Sequence, residues 1–171
     1  ACVGRIVTVK GHIWLMGYMQ GDCNIQCKTA VLQVLIQLCK EQSCVHDLLQ
    51  NGMMQLIVSL VHKSDKTIFL DVIKFILSVL LHNFPLPIDH LSMISDILNK
   101  ICSGKLADFV KNEPLLTHSA MVLGFLSLRD SDFICLEKVL RFTLKAAHAN
   151  LVMESLSTAL FNIVTSVKGT D

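Results

Sequence analysis

Charge is scarce in this chain. Asp, Glu, Lys and Arg make up 17% of its 171 residues and nearly cancel, 15 Lys+Arg against 14 Asp+Glu, for a net charge of +1. Globular domains average about 25% charged residues. The balanced charge gives no global field for nucleic acid or an anionic membrane and leaves room only for a local basic patch. Long apolar runs are missing too. The longest, Ile68 to Leu81, is interrupted by Asp71 and Lys74 and falls short of the ~20 residues of a membrane span. No signal-peptide pattern opens the chain, so an intracellular protein, cytoplasmic or nuclear, is expected. There is no Gly-x-Ser-x-Gly elbow, no phosphate-cradling glycine loop and no His-Glu-x-x-His motif. Nucleophilic, nucleotide and zinc-protease chemistry therefore have no anchor, and neither an enzyme nor a cofactor is expected.

Seven cysteines (Cys2, Cys23, Cys27, Cys39, Cys44, Cys102, Cys135) are an odd set scattered through apolar segments, which reads as free core thiols in a reducing compartment. Cys23 and Cys27 are one helical turn apart, but no Cys-x-x-Cys pair or nearby His completes a tetrahedral metal set. Seven histidines are spread about one per predicted helix. His62, His82 and His148 fall in last turns, where a donor suits the open carbonyls.

What the chain has in excess is apolar surface, 52% of residues, as suits helices buried on several sides or a fragment whose ends pack on further structure. Together with the Ala1 start, this leads to the expectation of one segment of a larger protein. The apolar residues also recur. Val31-Leu-Gln-Val-Leu-Ile-Gln-Leu-Cys39 returns, position for position in polarity, as Val72-Ile-Lys-Phe-Ile-Leu-Ser-Val-Leu80, 41 residues later. A helical recurrence of roughly 40 to 47 residues is the spacing of armadillo and HEAT arrays, whose units cannot bury their apolar faces alone.

Punctuation divides the chain into helices, and no alternating strand pattern appears. Residues 1–20 read as a helix interrupted by Gly4, Gly11 and Gly17. Asp22 is placed to cap a helix to about Cys39, and Ser43 a short one through Gln50. Asn51-Gly52 is a stop, since both tolerate the left-handed conformation. Met53 to His62, a turn at Lys63-Ser64-Asp65 and a long helix from Lys66 to His82 follow. Asn83-Phe-Pro-Leu-Pro87 is the clearest break. Beyond it, helices are predicted from Asp89 to about Cys102, Leu106 to Lys111, Pro114 to about Leu128, and over 132–148 and 151–167. The expected fold class is all-α, a single domain over 1–171 with an irregularity near 83–88.

Asn24 to His82 resembles armadillo repeats in order as well as period: a short helix ending in Gln50-Asn51-Gly52, then Met53-Met-Gln-Leu-Ile-Val-Ser-Leu-Val61, then Lys63-Ser-Asp65, then a long third helix. Ala159-Leu-Phe-Asn-Ile163 looks like the core of another third helix. Residues 84–150 fit less well in length and caps, as a HEAT-like or a degenerate repeat would. The resemblance implies a right-handed superhelix, an α-solenoid, whose third helices line a concave groove. In the 66–82 helix the polar residues Asp71, Lys74, Ser78 and His82 recur at helical spacing and predict one solvent-facing stripe. The offset of 41 matches Lys74 and Ser78 to Gln33 and Gln37, and the Ala159 alignment adds Thr158 and Asn162. Ala120 and Gly124 would form a smooth notch.

In the family, asparagines on this ladder bind an extended peptide backbone. Here only Asn162 keeps that residue type and no tryptophan precedes it, which points away from nuclear-signal recognition of the importin kind. The expected function is a non-catalytic protein–protein interaction scaffold or adaptor. Its groove of Gln33, Gln37, Asp71, Lys74, Ser78, Thr158 and Asn162 would take a peptide or helix of another protein. The alternatives are a nucleic-acid- or chromosome-associated helical-repeat scaffold and an oligomerisation domain. The only Trp and the only Tyr lie in Gly11-His-Ile-Trp-Leu-Met-Gly-Tyr-Met-Gln20, and either a core or a binding anchor suits them.

Overall fold

The computed structural model describes residues 2–63, 66–82, 85–102 and 112–127. Among them the fold is all-α, with no strand. The elements are α1 (Cys2–Thr8), α2 (Gly11–Gln20), α3 (Ile25–Leu38), α4 (Gln42–Gln50), α5 (Met53–Lys63), a 3-10 turn (Lys66–Ile68), α6 (Phe69–Leu80), α7 (Ile88–Cys102) and α8 (Glu113–Ser127). The chain divides into two compact units, Ala1–Phe84 and Pro85–Asp171. The boundary falls in the Pro85–Pro87 segment, where the two prolines cannot donate backbone hydrogen bonds. The helices predicted over 106–111, 132–148 and 151–167 lie outside the described residues.

In the first unit the helix ends follow local chemistry, though not always at the expected residue. The break between α1 and α2 falls at Val9 and Lys10, with Lys10 in the left-handed region at φ 55°. Gly4 and Gly17 lie within helices. Gly11 has a packing role instead: a Cβ there would meet Ile6 Cγ2 at 2.9 Å and the Ile6 carbonyl oxygen at 3.2 Å, so the bare backbone lets α2 fold back against α1. The cap of α3 is Asn24, not Asp22. Its side chain accepts from the Cys27 N–H at 2.8 Å, which satisfies one of the orphan donors of the first turn. Helix α4 begins one residue ahead of Ser43, after Glu41, which provides no side-chain cap. It stops as expected: Gly52 takes φ 86° and Asn51 Nδ2 donates to the Asp47 carbonyl at 2.7 Å.

The core of this unit is built from one face of α3, α4 and α5 and from nearly the whole of α6. Leu32, Leu35 and Leu38 of α3, Cys44, Val45 and Leu48 of α4, Met53, Met54 and Ile57 of α5, and most of α6 are buried. Helix α3 packs along α6 and against α2, and α5 lies against both α4 and α6. Two hydrogen bonds give the sense of the α3–α6 pair. Gln33 reaches Asp71, and His82 reaches the Cys39 carbonyl. Sequence order is preserved in both helices, so the two copies of the recurrent phrase run side by side and parallel.

In the second unit α7 begins at Ile88, with the His90 and Leu91 N–H groups bonded to the Pro87 carbonyl, so Asp89 sits in the first turn and is not the cap. Helix α8 is capped by Asn112, whose Oδ1 accepts from the Leu115 N–H at 3.3 Å. Pro114 occupies that first turn, where a missing donor costs nothing. Ala120 and Gly124 are buried along with Ser119, Val122, Leu123 and Leu126. They pack inside α8's surroundings and form no open notch.

Candidate functional site

Helix α6 is apolar almost all round, and the positions it leaves uncovered form one line along it. Of Phe69 to Leu80, only Leu70, Lys74 and Ser78 escape full burial. They are four residues apart and therefore in line on one face. The stripe read from the sequence thus survives at Lys74 and Ser78 but is displaced at its start. Asp71 is 8% exposed, turned toward α3, where its Oδ2 accepts from Gln33 Nε2 at 3.3 Å. A carboxylate on an apolar cylinder has to find a donor, and the neighbouring helix supplies one. Asp71 also sits in the first turn of α6, where a negative charge is favoured by the helix dipole.

The facing stripe on α3 is Gln26, Ala30, Gln33 and Gln37, all exposed. The Gln33–Asp71 bond ties the two stripes together at one end. At the other, the His82 ring Nε2 donates to the Cys39 carbonyl, which lies at the C-cap of α3. His82, expected in the solvent stripe, is half-buried because its ring closes a neighbouring helix terminus. Ser78 Oγ donates to the Phe75 carbonyl of its own helix at 2.7 Å and also meets the Cys39 thiol. Lys74 is half-buried, as suits a long side chain that covers apolar surface with its methylenes. Four expected site residues, Gln33, Gln37, Lys74 and Ser78, thus share the α3–α6 face, with Asp71 beneath them as an anchor. Thr158 and Asn162 lie outside the described residues.

Below this face the thiols of Cys39 and Cys44 meet across the turn between α3 and α4. Both are buried and free. The hydrogen bond to Cys44 and then burial hold the Cys39 thiol well above the ordinary thiol range, against a smaller opposing pull from the Ser78 hydroxyl. Cys39 therefore keeps its proton and acts as a donor inside the core. Cys23 and Cys27, both half-buried, do not form a pair on one helix: Cys27 lies in α3, while Cys23 precedes the cap and its thiol donates to the Tyr18 carbonyl at 3.6 Å. Among the described residues no three His, Cys, Asp or Glu side chains converge in a way that could hold a metal ion, and no helix is long and apolar enough to cross a membrane.

The histidines mostly serve local geometry. His46 Nε2 pairs with Gln50 at 2.8 Å, and His118 Nδ1 donates to the Pro114 carbonyl at 2.6 Å. His62 is exposed near the end of α5, and His148 lies outside the described residues. The exception is His12. It is 0% exposed, its Nε2 donates to Asp47 Oδ2 of α4 at 3.1 Å, and its Nδ1 has no partner. Sequence reasoning gave His12 no particular place, because an apolar stretch with three glycines offers no sign of which residue turns inward. Trp14, two residues on, is 82% exposed.

Comparison with protein-family profiles, with curated proteins and with solved structures gives no match.

Proposed function

We propose that this chain is a non-catalytic protein-binding module of armadillo-like helical repeats, and that the α3–α6 face receives an extended peptide or a helix of another protein. The observation that carries this reading is the parallel pairing of the two recurrent helices, tied by Gln33–Asp71 and His82–Cys39. That pairing sets Gln33 and Gln37 beside Lys74 and Ser78. Side-chain amides offer both donors and acceptors, as an extended backbone requires. Lys74 supplies the one charge on the face and would favour an acidic side chain in the partner. The apolar bodies of α3 and α6 hold these groups on packed helices rather than on loops, so their spacing is preset and little ordering entropy opposes binding.

The test is selection from a random peptide library on the intact chain, followed by affinity measurement of the selected peptides against Lys74→Glu and Gln37→Ala. Lys74→Glu is expected to weaken binding by about 1–3 kcal/mol at unchanged thermal stability. Peptides that bind both variants as tightly as the native chain would remove the α3–α6 face from consideration.

A further inference from the structure

A second surface lies on α2. Trp14 and Tyr18 are four residues apart on one face of the helix, and Lys10, in the left-handed region at φ 55°, immediately precedes its first residue. Trp14 is 82% exposed and Tyr18 52% exposed, while the opposite face of α2 buries His12, Met16 and Met19. Large aromatic rings held out in water on a packed helix are unusual, and Trp and Tyr are the side chains that most often anchor partners. The segment leading into α2 is basic: Arg5 and Lys10 are both exposed, and no acid occurs before Asp22. Among the described residues neither Arg5 nor Lys10 has an ion-pair partner.

We propose that this aromatic and basic face of α2 is a docking site for an acidic amphipathic peptide. An apolar side chain of the peptide would lie between the Trp14 and Tyr18 rings, and its carboxylates would sit against Lys10. The rings stay in place because α2 is held from behind. His12 is hydrogen-bonded to Asp47 of α4, and Gly11 lets the start of α2 press on Ile6. A nucleic acid fits the face less well, because stable phosphate binding typically uses several cations in a row, about 6–10 contacts in strong cases, whereas α2 itself carries no Lys or Arg and only Lys10 adjoins it. A membrane surface fits less well too. An interfacial helix needs a broad apolar face, and the other exposed α2 positions are Gly17 and Gln20.

Trp14 is the only tryptophan in the chain, so its emission reports on this face alone. The experiment titrates the intact chain with a helical peptide free of Trp and Tyr, with leucines at i and i+4 flanked by glutamates. In parallel it is titrated with the same peptide carrying lysines for glutamates, with vesicles of equimolar phosphatidylcholine and phosphatidylserine, and with oligothymidylate. A saturable blue shift is expected with the acidic peptide. Affinity should fall about tenfold in Lys10→Asp, a residue type that tolerates the left-handed conformation, and comparably in Tyr18→Ala. In Trp14→Ala, followed by anisotropy of a labelled peptide, binding should be lost. Lys74→Glu should leave it unchanged, which separates this surface from the α3–α6 face. The proposal is overturned if the acidic peptide gives no shift, if the lysine peptide performs equally, if only vesicles or oligothymidylate respond, or if the variants bind as the native chain does at unchanged helix content.

Discussion

Helices α2 and α6 belong to the same compact unit, yet they treat polarity in opposite ways. In α6 the apolar residues are inside, and the uncovered positions, Leu70, Lys74 and Ser78, form a single line. In α2 a histidine is fully buried while the tryptophan two residues later stands in water. Helix α6 touches α3, α5 and the preceding 3-10 turn, so most of its circumference has to be apolar, and the exceptions mark the one open side. Helix α2 meets α1, α3 and α4, but its inward face finds a carboxylate, Asp47, and so accommodates an imidazole. Burial is decided by which partner a face meets, and hydrophobicity alone is a sufficient guide only when the helix is nearly surrounded.

The contrast can be broken most directly at its most buried point. Phe75→Ala, at a fully buried position of α6, is expected to cost about 3–5 kcal/mol in chemical denaturation. A loss near zero would show that the α6 interior is not packed as described. Next in size, Gln33→Ala leaves the buried Asp71 carboxylate without its cross-helix donor and should destabilise by about 1–3 kcal/mol. Asp71→Asn, which removes the buried charge, should recover part of that loss when combined with Gln33→Ala. Equal stability of Gln33→Ala and the native chain would mean that water replaces the glutamine.

Alkaline titration sharpens the comparison below the face. Cys39 is raised in the folded protein, so above the ordinary thiol value of about 8.5 the unfolded chain releases a proton that the folded chain keeps. Stability is then fully present below that value and falls as pH rises through it, by at most about 1.4 kcal/mol per pH unit for the one group. Melts of the native chain and of Cys39→Ala, which keeps the Cys44 thiol that Cys39 shifts in the opposite direction, between neutral and alkaline pH would check it. A slope shared by both would assign the loss to other groups. Asn24→Ala, which removes the α3 cap, is expected to cost about 1 kcal/mol. The smallest effect belongs to Trp14→Ala, within about 0.5 kcal/mol, since an exposed ring packs on little. A large loss there would mean that Trp14 holds the fold and does not wait for a partner.

The parts legible in the sequence are those set by short-range physics. Helical period, the stop at Asn51-Gly52, the proline break and the buried side of α6 follow from residues within a turn or two of one another. Even the pairing of α3 with α6 was foreshadowed, because the phrase at Val31 and its copy at Val72 carry the same apolar pattern. Two turns sharing that pattern fit the same neighbours. The misplaced details are instructive. Asp71 reads as a surface residue from its charge, and Asp22 reads as a cap from its position after Gly21. Each was displaced by a competitor, the Gln33 amide in the first case and Asn24, nearer the first helical turn, in the second.

What tertiary structure alone decided is the direction of side chains whose chemistry allows two environments. His12 is inward because Asp47 arrives from α4, some 35 residues away in sequence. Trp14 and Tyr18 are outward because the rest of α2 is already occupied by α1, α3 and α4. His82 reaches across 43 positions to the Cys39 carbonyl. A helical period determines which residues share a face but carries no information about what that face will meet. For apolar residues the answer hardly matters, since any neighbour is better than water. For a histidine, an aspartate or a tryptophan it matters entirely, because the free energy of burial changes sign with the presence of a single donor or acceptor.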